Sequence, residues 1–150
     1  MPYLRSGLSL LDVGCGPGTI TVDLARRVAP GSVIGVDRER AVIAEATRLL
    51  DAGNVGNVQF KPADVYSLEF DDQSFDVVHA HQVLQHLTDP VAPWLRCVAW
   101  CARVGSWRSV IAITGALCGR RPIRCWIAGC SSTTTSVAAT GLTLTRAGTS

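Results

Sequence analysis

Glycines at 14, 16 and 18, carboxylates at 12, 37 and 64, and histidines at 79, 81 and 86 are the residues whose types and spacing could do chemistry. The glycines lie in Leu10-Leu11-Asp12-Val13-Gly14-Cys15-Gly16-Pro17-Gly18-Thr19, between an apolar run and an apolar-periodic segment that reaches Ala29. That order predicts a strand, a tight loop and a helix start. Glycine lets backbone come close to a ligand, and a helix N-terminus offers unpaired N–H groups and a partial positive charge. Asp12 adds an acceptor at the same edge. A loop built this way suits a small molecule that carries both an amine and a carboxylate.

A second acid narrows the reading. Val33-Ile34-Gly35-Val36-Asp37 is a β-branched run ending in a carboxylate, 19 residues beyond Gly18. An acid at the end of the second strand of a nucleotide-binding βαβ unit hydrogen-bonds ribose hydroxyls. The dinucleotide fingerprint G-x-G-x-x-G needs a third glycine where Thr19 stands, which counts against a nicotinamide-dependent oxidoreductase. The spacing here is G-x-G-x-G with an acid upstream. Leu11 to Gly18 resembles the first motif of the class I S-adenosylmethionine-dependent methyltransferases, in the branch that includes ubiquinone- and menaquinone-biosynthesis-like enzymes.

The resemblance covers about Leu8 to Ala92 and implies S-adenosylmethionine as cofactor and a small-molecule methyl acceptor. It places Asp12, Gly14, Cys15, Gly16 and Gly18 against the methionine part, with His81 close by. It assigns Asp37, with its neighbour Arg38, to the ribose, and Asp64 with the Val65 backbone to the adenine amino group. Cys15 occupies a place where such loops use a small residue. The chemistry implied is direct displacement at a sulfonium methyl, for which the protein supplies proximity, alignment and exclusion of water.

The elements that must position these groups alternate. Strands are expected at Ser9 to Val13, Val33 to Asp37, Val58 to Lys61 and Phe75 to Ala80, and helices at Thr19 to Ala29 and Glu39 to Leu50. Pro30-Gly31 stops the first helix. This implies an α/β fold, a Rossmann-like parallel sheet with helices on both faces. The family sheet runs 3-2-1-4-5-7-6, and only its first four strands are recognisable. Unless Ser109 to Thr114 pairs beside the fourth, Val77 and Val78 form an exposed apolar edge.

Among the histidines, His79 falls within the fourth strand and is read as packing. By the resemblance, His81 lies close to the methionine part of the cofactor and His86 beside the substrate mouth, where an imidazole can serve as general base. No metal-ligand spacing of Cys, His or carboxylate is recognised, so no metal is expected. The catalytic residue stays unassigned.

The composition breaks at Asp89. All 12 acidic residues and the single lysine lie at or before it, whereas the following 61 residues hold 7 arginines, all 4 tryptophans and 5 of the 6 cysteines. The chain therefore divides into a partial cofactor-binding core, 1–92, and an atypical tail, 93–150. The tail reads as a basic extension, as a nucleic-acid arm, or as a stretch translated out of frame. The third reading is favoured. Back-translating Cys101 to Val110 and shifting by one base yields Arg-Pro-Gly-Gly, an aliphatic residue, then Val-Ala-Val-Arg, a turn and strand like the family's fifth. The truncated chain is then a non-catalytic product, the main alternative to an active enzyme. With a net charge of +2 and no long apolar run, neither nucleic acid nor a membrane span is expected, and the cytoplasm is the default location.

Overall fold

The apolar run before the glycines forms β1 (Leu10–Val13), buried at every position. The computed structural model describes residues 4–53, 55–83, 86–89, 91–101, 103–104, 107–108, 110–118 and 121–127. After β1 come α1 (Thr19–Val28), β2 (Val33–Asp37), α2 (Arg40–Gly53), β3 (Val58–Pro62), β4 (Val77–His81) and α3 (Val91–Trp100). A small hairpin, β5 (Arg103–Val104) with β6 (Trp107–Arg108), precedes β7 (Val110–Cys118) and β8 (Arg121–Ile127).

The sheet order is β3-β2-β1-β4-β7-β8. The first five strands pair in parallel, and β8 is antiparallel to β7. The four strands expected from the sequence thus stand side by side, and the sheet continues beyond them. Val77 lies opposite Val110 and Val78 opposite Ile111, so β4 is interior and not an exposed edge. Ser109 itself lies outside the described residues.

Alternation along β1 divides its side chains between two layers. Leu10 joins Val33 and Val77 against Leu24, Ala25 and Val28 of α1. Leu11 and Val13 join Val36, Val78 and Ala80 on the opposite face, against Cys97 and Trp100 of α3. Helices therefore cover both faces, as a parallel sheet buried on both sides requires. The buried positions of α1 recur at helical spacing, and Arg26 and Arg27 in its last turn suit the negative end of the helix dipole. Proline at position 30 prevents its continuation.

The expected division between core and tail at residues 92/93 falls inside α3, which crosses it without a break. Asp89 caps this helix by accepting the Val91 N–H at 3.0 Å. At its far end Trp100 is fully buried, edge-on to Phe70 at 5.6 Å, with the Arg96 guanidinium 5.5 Å from its ring. The Trp100 indole nitrogen is buried without a hydrogen-bond partner among the described residues.

Candidate functional site

The sheet order reverses beside β1, since β2 leaves on one side and β4 lies on the other. Open α/β sheets bind ligands outside the carboxyl ends of the strands at such a switch point. A cavity of about 580 Å³ occupies that place here, a volume suited to a nucleoside-sized ligand. It brings together Asp12, Gly14, Cys15, Gly16, Asp37, Arg38, Asp64, Val65 and His81 from four separate stretches of sequence.

The glycine loop is fastened to β2 by its own backbone. The N–H groups of Gly14 and Cys15 both donate to the Val36 carbonyl, at 2.7 and 3.0 Å. Gly14 adopts φ +67° and lies against Val83, leaving no room there for a Cβ. Gly16 adopts φ +54°, but a Cβ there would meet nothing within 4 Å, because the loop faces the cavity. Gly18 has a different reason to be glycine. It does not line the cavity, and a Cβ would come within 2.5 Å of the Phe60 ring and 3.0 Å of Ala46. The third glycine thus seats the start of α1 on β3 and α2.

Asp37 ends β2 and turns toward this loop. Its Oδ2 accepts the Gly16 N–H at 3.1 Å, while Oδ1 accepts the Glu39 N–H at 3.0 Å. Arg38 makes an exposed ion pair with Glu39 at 3.4 Å, a type of contact that contributes little. Beyond β3, the Ala63 N–H donates to the Asp37 carbonyl at 2.8 Å, tying two strand ends together. Asp64 follows, exposed, with Oδ1 accepting the Tyr66 N–H at 2.9 Å in a local turn.

Asp12 and His79 form the buried floor. They are register partners on β1 and β4, each 2% exposed, and His79 Nδ1 stands 2.7 Å from Asp12 Oδ1. The other Asp12 oxygen accepts the Thr21 hydroxyl of α1 at 2.6 Å. The His79 and His81 rings lie parallel, with centroids 6.5 Å apart. His86 also reaches the cavity, so all three histidines border one space.

The Cys15 thiol is pushed up to about 12, chiefly by burial and further by the charges of Asp12 and Asp37. The helix N-terminus does not make it a nucleophile, which agrees with the small-residue reading.

Sequence reasoning left Tyr66, His79, Gln82 and Val83 out of the site. Tyr66 had a signal in its place two residues after Asp64; its hydroxyl donates to the Asp89 carbonyl and accepts the Asp89 N–H, both at 3.1 Å. His79 had one too, because it shares β-strand parity with His81. Gln82, at φ +56°, carried no signal that sequence could show.

Sheet order, a glycine loop on the first βα turn and an acid closing the second strand define a Rossmann-like domain of the S-adenosylmethionine-dependent methyltransferase class. A family model described as methyltransferase domain matches residues 4–111, and the chain belongs to that family. The oxidoreductase alternative is thereby set aside. The chain is 41% identical over 98 residues to an uncharacterized methyltransferase of Schizosaccharomyces pombe, covering 61% of this chain and 35% of that protein. It is 38% identical over 88 residues to a ubiquinone/menaquinone biosynthesis C-methyltransferase of Idiomarina loihiensis, covering 57% of this chain and 35% of that one. It also superposes with a TM-score of 0.67, at 22% identity, on phosphoethanolamine N-methyltransferase 1 of Haemonchus contortus, solved with phosphoethanolamine and S-adenosylhomocysteine. That match covers 93% of this chain and 28% of the other. The chain spans about a third of the length of the curated relatives it matches. Among the described residues no helix is long and apolar enough to cross a membrane.

Proposed function

We propose that this chain is the cofactor-binding part of a methyltransferase that transfers a methyl group from S-adenosylmethionine to a small-molecule acceptor. The observation that carries this reading is the convergence of Asp12, Gly16, Asp37 and Asp64 on one cavity at the switch point. The residues present fit that cofactor. Gly16 leaves an open backbone cradle, and Asp37, Asp64 and Val65 line the same cavity, where Asp37 would accept from the ribose diol and Asp64 from the adenine amino group. Cys15, Arg38 and His81 line the same cavity, and His81 is assigned to the methionine end. When bound, the cofactor supplies an electrophilic methyl group. The chain's own part is to hold it, fix its direction toward the mouth near His81 and His86, and keep water from the reacting side. A cytoplasmic setting goes with this reading, since the Cys15, Cys97 and Cys101 thiols are unpaired. Calorimetric titration with S-adenosylhomocysteine tests the proposal; a chain that is folded by circular dichroism yet gives no heat of binding refutes it.

A second reading concerns residues 93–150, and the abrupt loss of every acidic residue after Asp89 favours it. On this reading the tail is translated from a shifted frame, and the product binds cofactor without turning over. Resequencing the coding DNA from Asp89 to Val110 decides it. An extra or missing base restores acidic residues and an Arg-Pro-Gly-Gly turn; an intact frame makes the tail genuine.

A further inference from the structure

We infer that His79 is a positioning residue for the amino-acid end of the cofactor, acting through Asp12. This rests on the cofactor reading above and goes beyond it, since the sequence alone assigns His79 to packing.

Asp12 is the last inward-facing carboxylate of β1 before the glycine loop, and both of its oxygens are engaged from different elements. Thr21 donates to Oδ2 from the first turn of α1, and His79 meets Oδ1 from β4. The carboxylate therefore ties strand, neighbouring strand and helix together directly beneath the loop. With both side chains 2% exposed, neither group is there for solubility, yet both border the floor of the cavity. Leaving a buried carboxylate short of a donor is costly, so removing one donor frees it to turn toward another. Asp12 Oδ1 accepts from Nδ1 in the tautomer that carries its hydrogen there. The carboxylate so held borders the floor of the cavity, where the ammonium group of the amino-acid end would find an acceptor. A packing residue would do none of this; a phenyl ring would fill the same volume and let the carboxylate swing.

The test compares two ligands on the full chain. S-adenosylhomocysteine carries the amino-acid chain, and 5′-methylthioadenosine lacks it while keeping the ribose and adenine. In His79→Phe the first should bind roughly tenfold more weakly or worse, while the second changes by less than about threefold. Asparagine places its amide at the position of Nδ1, and glutamine places it at that of Nε2. His79→Asn should therefore keep affinity for S-adenosylhomocysteine, and His79→Gln should lose it. This polar pair decides the matter even where the phenylalanine variant does not fold. Equal weakening of both ligands, or equal binding by the asparagine and glutamine variants, overturns the inference. An unaltered chain that binds neither ligand defeats the cofactor reading itself, and this inference with it.

Discussion

The Asp37 carboxylate holds the Gly16 N–H at 3.1 Å across 21 residues of sequence, so the acid expected to take the ribose also braces the loop expected to take the methionine part. Its second oxygen is fixed by the Glu39 N–H at 3.0 Å. Replacing Asp37 should consequently remove a ligand contact and loosen the cradle together. Hydrogen bonds to a charged group are worth about 1.5–3 kcal/mol, roughly a tenfold to hundredfold change in affinity. Asp37→Ala should weaken S-adenosylhomocysteine binding by at least that tenfold in calorimetry. Unchanged affinity would remove Asp37 from the site.

Two glycines in the loop should fail in different ways when changed to alanine. At Gly14 a Cβ collides with Val83 and the backbone has φ +67°, so Gly14→Ala should lose roughly 1–3 kcal/mol of stability in urea unfolding. At Gly16 the space is open, and only the φ of +54° opposes a side chain. Gly16→Ala should cost about 1–2 kcal/mol of stability at most, while its methyl group, projecting at the cavity, impairs ligand binding more than folding. The reverse ranking of the two ligand effects, after correction for the folded fraction, would mean that Gly16 is not part of the cradle.

Much of this fold was legible because its signals are local. The β2 run Val33–Asp37 was bounded correctly, since β-branched residues lie between Pro-Gly punctuation and a charged turn. Helix α2 ran on to Gly53, three residues past the expected Leu50, because the glycines that break the pattern do so only at its end. Strand β4 began at Val77, not Phe75, whose only ladder contact is an isolated bridge to Cys101. What sequence could not show was pairing across distance. The sequence offers Ser109 to Thr114 as a candidate neighbour of the fourth strand but not its register, and nothing in His79 announces a carboxylate 67 residues earlier. Parity places His79 on one face of a strand; the identity of its neighbour comes only from register.

Asp64 has two duties that can be separated. It caps a turn by accepting the Tyr66 N–H at 2.9 Å, and it borders the side of the cavity proposed for adenine. Loss of the turn contact in Asp64→Ala should cost about 0.5–1.5 kcal/mol of stability. If Asp64 also accepts from the adenine amino group, the variant should weaken S-adenosylhomocysteine by about tenfold and leave S-inosylhomocysteine, which lacks that amine, nearly unaffected. Equal loss for the two ligands would reduce Asp64 to its turn.

Burial sets the behaviour of the thiols. Cys15, Cys97 and Cys101 are each pushed up to about 12, in every case chiefly by burial. In the unfolded chain these groups ionise near 9, so between about 9 and 12 the folded chain keeps protons that the unfolded chain releases. Their contribution to stability is complete below 9 and declines as pH rises through that interval. Peptide-level mass spectrometry after iodoacetamide treatment at pH 8 should find all three unmodified in the folded chain and labelled in urea. Fast native labelling of Cys15 would show a thiolate where burial forbids one.

Trp100 offers the clearest separation between burial and polarity. Its ring is fully buried against Phe70 and within reach of Arg96, which favours keeping an aromatic side chain there. Its indole nitrogen, however, is buried without a partner among the described residues, and such a group costs about 1–3 kcal/mol of desolvation. Trp100→Phe gives up ring area but also removes the stranded donor, so the two effects should nearly offset and stability should change by less than about 1.5 kcal/mol. Trp100→Ala removes the whole ring and should cost about 3–5 kcal/mol. The tryptophan lies beyond the compositional break, at the end of a helix that begins only two residues after Asp89. A residue that fills the core while stranding a polar atom is what a segment with the right volume and the wrong chemistry would place there. Urea unfolding of the two variants reads the balance directly: a phenylalanine variant as unstable as the alanine one would mean that the indole nitrogen is satisfied and that tryptophan is the residue this position requires.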